Sequence, residues 1–237
     1  MQKRNYSREL EETLGTLRAR EDAGEGRKRL LLHVCCAPCS SYVLEYLREY
    51  FDVTVYYYNP NITEATEYEK RLQEEQRLIR EYNNQVERGA FEGMHSTARA
   101  GRIDFLPAPY DPERYLEEVR GLENCREGGS RCEVCFRLRL SRTAEAARDG
   151  GYDFFTTSLT ISPLKNAPLL NEIGEEQGRL WGVPFLPSDF KKKDGYKRSI
   201  ELSGMFSLYR QNYCGCVFSR REAAERQDKA TRDDQVS

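Results

Sequence analysis

The chain lacks any apolar run near the ~18 residues that a membrane span requires. No basic, apolar and small-residue signal sequence opens it. These absences set the expectation of a soluble cytoplasmic protein with no membrane partner. Net charge is also nearly absent. Lys and Arg number 37 against 39 Asp and Glu, leaving -2, which excludes a global positive field. No Gly-X-Gly-X-X-Gly follows the first candidate strand, and no Walker A sequence occurs, so nucleotide activation is not expected. Histidine is down to 2 residues in 237. His33 sits in a candidate strand as a core residue, and His95 has no visible partner, so a Ser-His or Cys-His triad is not supported.

Cysteine is present in excess, with 8 residues. A disulfide scaffold does not suit a long polar chain without a secretion signal. Seven of the thiols fall in three groups: Cys35, Cys36 and Cys39; Cys132 and Cys135; Cys214 and Cys216. The eighth, Cys125, reads as a free loop thiol. The first group stands between a strand and a helix N-terminus, where the helix dipole favours thiolate. The spacing of three in the second puts both sulfurs on one helical face. Two such pairs suit zinc or an iron–sulfur cluster, and spacing alone leaves both open. The tight Cys214-Gly-Cys216 pair suits a labile disulfide or further metal ligands.

The pattern of elements is αβ throughout. Strands are expected at Leu30–Val34, Val53–Tyr58, Ile103–Leu106, Tyr152–Thr157 and Val183–Leu186. Helices are expected at Ser40–Glu49, with Ser40 or Ser41 as N-cap, and at Glu64–Tyr82, largely facing solvent. Others are expected at Pro112–Arg120, Arg131–Arg148, Asn166–Gln177 and Ser199–Tyr209. Alternation of this kind implies a mostly parallel sheet with helices on both faces. Residues 1–29 read as a polar N-terminal extension, loose or a single helix. Residues 30–221 read as one α/β catalytic domain, and 222–237 as a flexible tail.

The near-zero total hides a local patch. Between Lys191 and Arg221 lie eight basic residues against two acidic ones, a local +6. Tyr196, Tyr209 and Tyr213 interleave with it, a mixture suited to phosphate contact and base stacking. The hydroxyl-rich run from Thr156 to Ser162, followed by Lys165 and Asn166, can hold a polar substrate or cap a helix.

Several ungapped runs resemble the epoxyqueuosine reductases of the QueH type. They are Leu31 to Ser40 (LLHVCCAPCS), Tyr58 to Ile62 (YNPNI), Glu67 to Arg71 (EYEKR) and Glu127 to Phe136 (EGGSRCEVCF). Phe155 to Pro163 (FTTSLTISP), Asp189 to Tyr196 (DFKKKDGY), Arg198 to Ser203 (RSIELS) and Leu208 to Cys216 (LYRQNYCGC) continue the match in order. The resemblance implies a HUP-like α/β sandwich. It implies a tRNA-modifying reductase that converts epoxyqueuosine to queuosine at the anticodon wobble position without cobalamin. It implies a [4Fe-4S] cluster on Cys35, Cys36, Cys132 and Cys135, and a redox-active pair at Cys214 and Cys216. Cys39 is the candidate ligand for an additional mononuclear iron. Lys191, Lys192, Lys193, Tyr196 and Arg198 are candidate contacts for tRNA bearing epoxyqueuosine, and the electron donor is unidentified. A thioredoxin-like thiol–disulfide oxidoreductase using Cys36 and Cys39 would leave five of the seven grouped thiols idle. A zinc-stabilised RNA-binding module would leave the Cys-Gly-Cys pair unexplained. A tRNA sulfur-transfer enzyme is disfavoured because the Ser-Gly-Gly-X-Asp-Ser loop is missing.

Overall fold

The computed structural model describes residues 4–234, with side chains to residue 228. Helix α1 (Tyr6–Asp22) precedes strand β1 (Lys28–His33), helix α2 (Ala37–Leu47) and strand β2 (Phe51–Tyr56). Then come α3 (Ala65–Arg88), β3 (Ile103–Leu106), α4 (Pro112–Glu118), α5 (Ser130–Asp149) and β4 (Phe154–Thr157). A 3-10 turn (Ser158–Ile161) leads to α6 (Ala167–Trp181), α7 (Gly195–Met205) and α8 (Val217–Asp234).

The four strands form one parallel sheet in the order β3-β2-β1-β4. Alternation along β1 divides the core in two. Leu30, Leu32 and Val34 face α2 and α3, together with Val53 and Val55 of β2. Leu31 faces the other way, onto Phe136 and Leu140 of α5 and Leu170 and Ile173 of α6. Burial of β1 on both faces explains why it reads as an unbroken apolar run. From β1 the chain steps outward to β2 and β3, then returns to place β4 on the opposite side of β1. The direction of winding reverses between β1 and β4, and the crevice at their carboxyl ends is where such sheets place ligands.

Several boundaries differ from the sequence expectation. Helix α2 begins three residues before Ser40, with Cys36 as its N-cap in extended conformation and Pro38 in the first turn. Ser40 and Ser41 therefore lie inside the helix, and Pro at the first turn is the stronger start signal. Helix α3 faces solvent along most of its residues, as expected, and packs one face against the core. It buries Tyr68, Arg71, Glu75, Leu78, Ile79 and Tyr82. The expected strand at Val183–Leu186 is reduced to one bridge, Phe155 with Phe185. Helix α7 starts at Gly195, four residues early. The polar opening segment folds as a helix whose Tyr6, Leu10 and Leu14 are buried. Most of the segment read as a flexible tail is helical, continuing α8 to Asp234; the expected tail also covers 235–237, which lie outside the described residues.

Candidate functional site

Three helix N-termini present thiols around the β1–β4 crevice. Cys36 caps α2, and Cys39 lies in its first turn. Cys132 lies in the first turn of α5, and Cys135 follows one turn later. Cys216 precedes α8, where the Ser219 N–H donates to its sulfur at 3.3 Å. The Gly128 N–H donates to Cys132 Sγ at 3.2 Å. Each helix start offers unpaired N–H groups and the positive end of a dipole, which favour negative charge.

The sulfurs of Cys35, Cys36 and Cys39 all lie within 4.8 Å of one another, with Cys35 and Cys36 at 3.8 Å. Cys132 packs against the apolar cluster that contains Cys35 and Cys36. Cys135 and Cys216 share a smaller cluster with Tyr115 and Val119. Cys214 is close enough that negative charge there would make both Cys132 and Cys135 harder to ionise. Seven thiols thus converge, and Cys125 stays in its loop, half-buried. Among the described residues no disulfide joins any pair, Cys214 and Cys216 included.

The charge at this centre is governed by hydrogen bonding and burial. Hydrogen bonds from Cys36 and then Cys39 hold the Cys35 thiol well below its ordinary range, against burial and with help from Lys165 and Arg139. The hydrogen bond with Cys35 pushes Cys36 up to about 12, and the same partners push Cys39 up. Burial pushes Cys135 up to about 12, opposed by Arg139. In the metal-free protein most of these thiols are therefore protonated, and metal binding must release protons. Arg139 is buried. It donates to Asn59 Oδ1 at 2.7 Å and to His33 Nε2 at 3.2 Å, and reaches Cys135 Sγ at 3.9 Å. Burial and the Arg139 charge lower the His33 acid constant to about 3, so this histidine is a neutral packing residue. A dense set of soft sulfur donors, with Arg139, Lys165 and three helix N-termini to offset its charge, fits a thiolate-bound metal centre.

A cavity of about 320 Å³ opens onto the thiols. Cys35, Cys39 and Cys214 line it, with Arg71, Glu127 and the loop from Ile161 to Lys165; Tyr196, Arg210 and Tyr213 also border it. Its size is in the range of small-ligand pockets. Cys214 faces this space, whereas Cys216 is buried behind it. Arg71 donates to the carbonyls of Cys214 at 3.1 Å and Tyr213 at 3.4 Å, while its Nε holds Glu67 at 2.7 Å. Gly215 has φ +121°, and a Cβ there would meet Ile62 at 2.8 Å, so glycine is required between the paired thiols.

The basic segment disperses on folding. Tyr196 reaches the cavity. Lys191 pairs with Asp189 at 3.2 Å and donates to the Lys165 carbonyl at 3.4 Å. Lys193 pairs with Glu11 of α1. Lys192 is exposed, outside the cavity lining. Arg198 turns inward to Glu45 of α2, with contacts at 2.7 and 3.0 Å. Sequence reasoning did not single out Arg71, Glu127 or Arg139 as site residues, and it named Lys165 only as following a loop able to hold a polar substrate. Lys165 had the clearest signal, since it follows the hydroxyl-rich loop at the end of β4.

Among the described residues no helix is long and apolar enough to cross a membrane. A family model described as "Epoxyqueuosine reductase QueH" matches residues 30–222. The epoxyqueuosine reductase QueH of Streptococcus pyogenes serotype M1 is 42% identical over 219 residues, covering 92% of this chain and 79% of that protein. That of Staphylococcus epidermidis is 40% identical, covering 92% of this chain and 85% of the relative. That of Thermotoga maritima is 33% identical, covering 86% and 96%. With the family model spanning most of its length and these relatives alongside it, the chain belongs to the epoxyqueuosine reductase QueH family of oxidoreductases.

Proposed function

We infer that this chain reduces epoxyqueuosine to queuosine in tRNA, a cobalamin-independent epoxide deoxygenation. The observation that carries the reading is that Cys35, Cys39 and Cys214 open onto one ligand-sized cavity at the β1–β4 crevice, with Cys36, Cys132, Cys135 and Cys216 in the adjoining packed clusters. Neither a thioredoxin-like pair nor a zinc-stabilised RNA module uses all of them.

Cys35, Cys36, Cys132 and Cys135 are the proposed ligands of a [4Fe-4S] cluster, with Cys39 the proposed ligand of an additional mononuclear iron. When bound, such iron supplies one-electron transfer and Lewis acidity toward an epoxide oxygen. The protein's own residues supply the rest. Oxidation of the Cys214 and Cys216 dithiol to a disulfide releases two electrons and two protons. Conversion of an epoxide to an olefin and water consumes the same number. Cys214 lines the cavity, and Arg71 holds its carbonyl at 3.1 Å, so the pair is positioned to act on bound substrate. Lys165 lines the same cavity as Cys35, Cys39 and Cys214, where its cation can hold the negative charge that develops as the C–O bond opens. An external reductant must then reopen the pair.

Tyr196 on the cavity rim is the proposed stacking contact for the tRNA, and Lys191, Lys192 and Lys193 the proposed phosphate contacts nearby. Arg198 contributes by tying α7, which carries Tyr196, to Glu45. A tRNA-modifying role places the protein in the cytoplasm. The test is nucleoside analysis of epoxyqueuosine-bearing tRNA after incubation with the iron-reconstituted, reduced protein. Queuosine should replace epoxyqueuosine; unchanged epoxyqueuosine with the iron centre intact would overturn the assignment.

A further inference from the structure

Apart from the Cys35 thiol, the charged groups that line the cavity are cationic except at one point. Arg71, Lys165 and Arg210 line the cavity, and among its lining residues Glu127 carries the single carboxylate. Glu127 stands on the loop before α5. Its side chain is half-buried, and one oxygen, Oε2, meets Arg226 at 3.5 Å, the outer limit of a hydrogen bond. The adjoining residue anchors it beside the sulfurs, since the Gly128 N–H donates to Cys132 Sγ at 3.2 Å. Its own N–H is held by Glu222 of α8 at 3.1 Å. The backbone from which the carboxylate projects is thus held by side chains of α5 and α8, Cys132 and Glu222.

Epoxyqueuosine joins its base to the epoxide-bearing ring through a secondary amine, which is protonated at neutral pH. The carbon that carries this amine is bonded directly to an epoxide carbon. An epoxide held against Cys35, Cys39 and Cys214 therefore brings an ammonium into the same cavity. Three cations would repel it there, and a carboxylate on the cavity wall would offset them. We propose that Glu127 binds the linking ammonium of the modified nucleoside and so selects modified tRNA. The inference rests on the epoxyqueuosine reading. It adds a basis for discrimination. Guanosine at the wobble position has no ammonium to offer, so it forgoes the contact with Glu127 and leaves the neighbouring cations without that offset, which favours the modified tRNA.

The reduced product keeps the amine, so the test does not depend on turnover. The iron-loaded parent, Glu127→Gln and Glu127→Asp are compared for affinity toward queuosine-bearing tRNA and toward the same tRNA with guanosine at that position. The parent should prefer the modified tRNA by ~10-fold or more, the gain expected of a charge-assisted hydrogen bond. E127Q should lose the preference and E127D keep part of it, with equal iron content in all three. In turnover, E127Q should raise KM ~10-fold and leave kcat within about twofold. A preference unchanged in E127Q, or absent from the parent, overturns the proposal. A parent that fails to reduce epoxyqueuosine but loses its preference on E127Q overturns the reaction assignment and leaves the ammonium site standing.

Discussion

Glu75 is fully buried on α3 and accepts the Ser40 hydroxyl at 2.7 and 2.8 Å. Burial pushes its acid constant up to about 8, from an ordinary value of 4.5. In the folded metal-free protein it is neutral over a pH range in which the unfolded chain ionises. Its contribution to stability is fully present below about 4.5 and is lost as pH rises through about 8. Glu75→Gln keeps the volume and cannot ionise. Between pH 5 and 9 the metal-free parent should lose stability relative to E75Q, by on the order of a few kcal/mol. Urea unfolding of both proteins across that range measures it; parallel pH profiles would show that Glu75 is ionised when folded. Nothing in the sequence around Glu75 announced this role. A glutamate in a charge-dense helix reads as a solvated face, and only the packing of α3 against α2 shows that Ser40 reaches it.

Helices α1 and α3 show where reading from sequence succeeds and where it stops. The unbroken apolar run of β1 and the Pro- and Gly-marked ends of α4 and α5 are local signals, and these elements lie close to their expected places. The thiol groupings were also legible, because spacing along one strand–helix junction and one helix face is local. The partners of charged residues were not. Arg71, on a helix read as facing solvent, and Arg198, read as a tRNA contact, prove to be buried on carbonyls and Glu45, and Arg139 on Asn59. Those choices depend on which helix lies opposite, which a single sequence does not specify. Polar α1 belongs to the same class, since Leu10 and Leu14 join the core on one face of the sheet. Leu14→Ala should cost about 2–4 kcal/mol in chemical denaturation. No residue of α1 lines the cavity, so turnover per folded molecule should stay at the parent value. A matching loss of kcat would mean that α1 also shapes the site.

At the scale of the whole molecule, a net charge of -2 coexists with a cationic cavity and rim. Folding spends much of the +6 of the 191–221 segment on internal pairs, and Arg71 and Lys165 from elsewhere in the chain bring charge to the cavity. Affinity for tRNA should therefore fall with salt despite the overall charge, with a log–log slope corresponding to about 3–5 phosphate contacts. A slope near zero would move the docking surface away from this basic rim. The larger division is among the thiols themselves, five proposed to hold iron and two proposed to hold electrons. Its most direct test is iron content and single-turnover reduction of epoxyqueuosine in tRNA, measured side by side for Cys35→Ala and Cys214→Ala after anaerobic reconstitution. Cys35→Ala should lose both the iron centre and turnover, while Cys214→Ala should keep the iron and the broad visible absorption yet fail to form queuosine. Parent-like iron and parent-like queuosine formation in both variants would contradict that division.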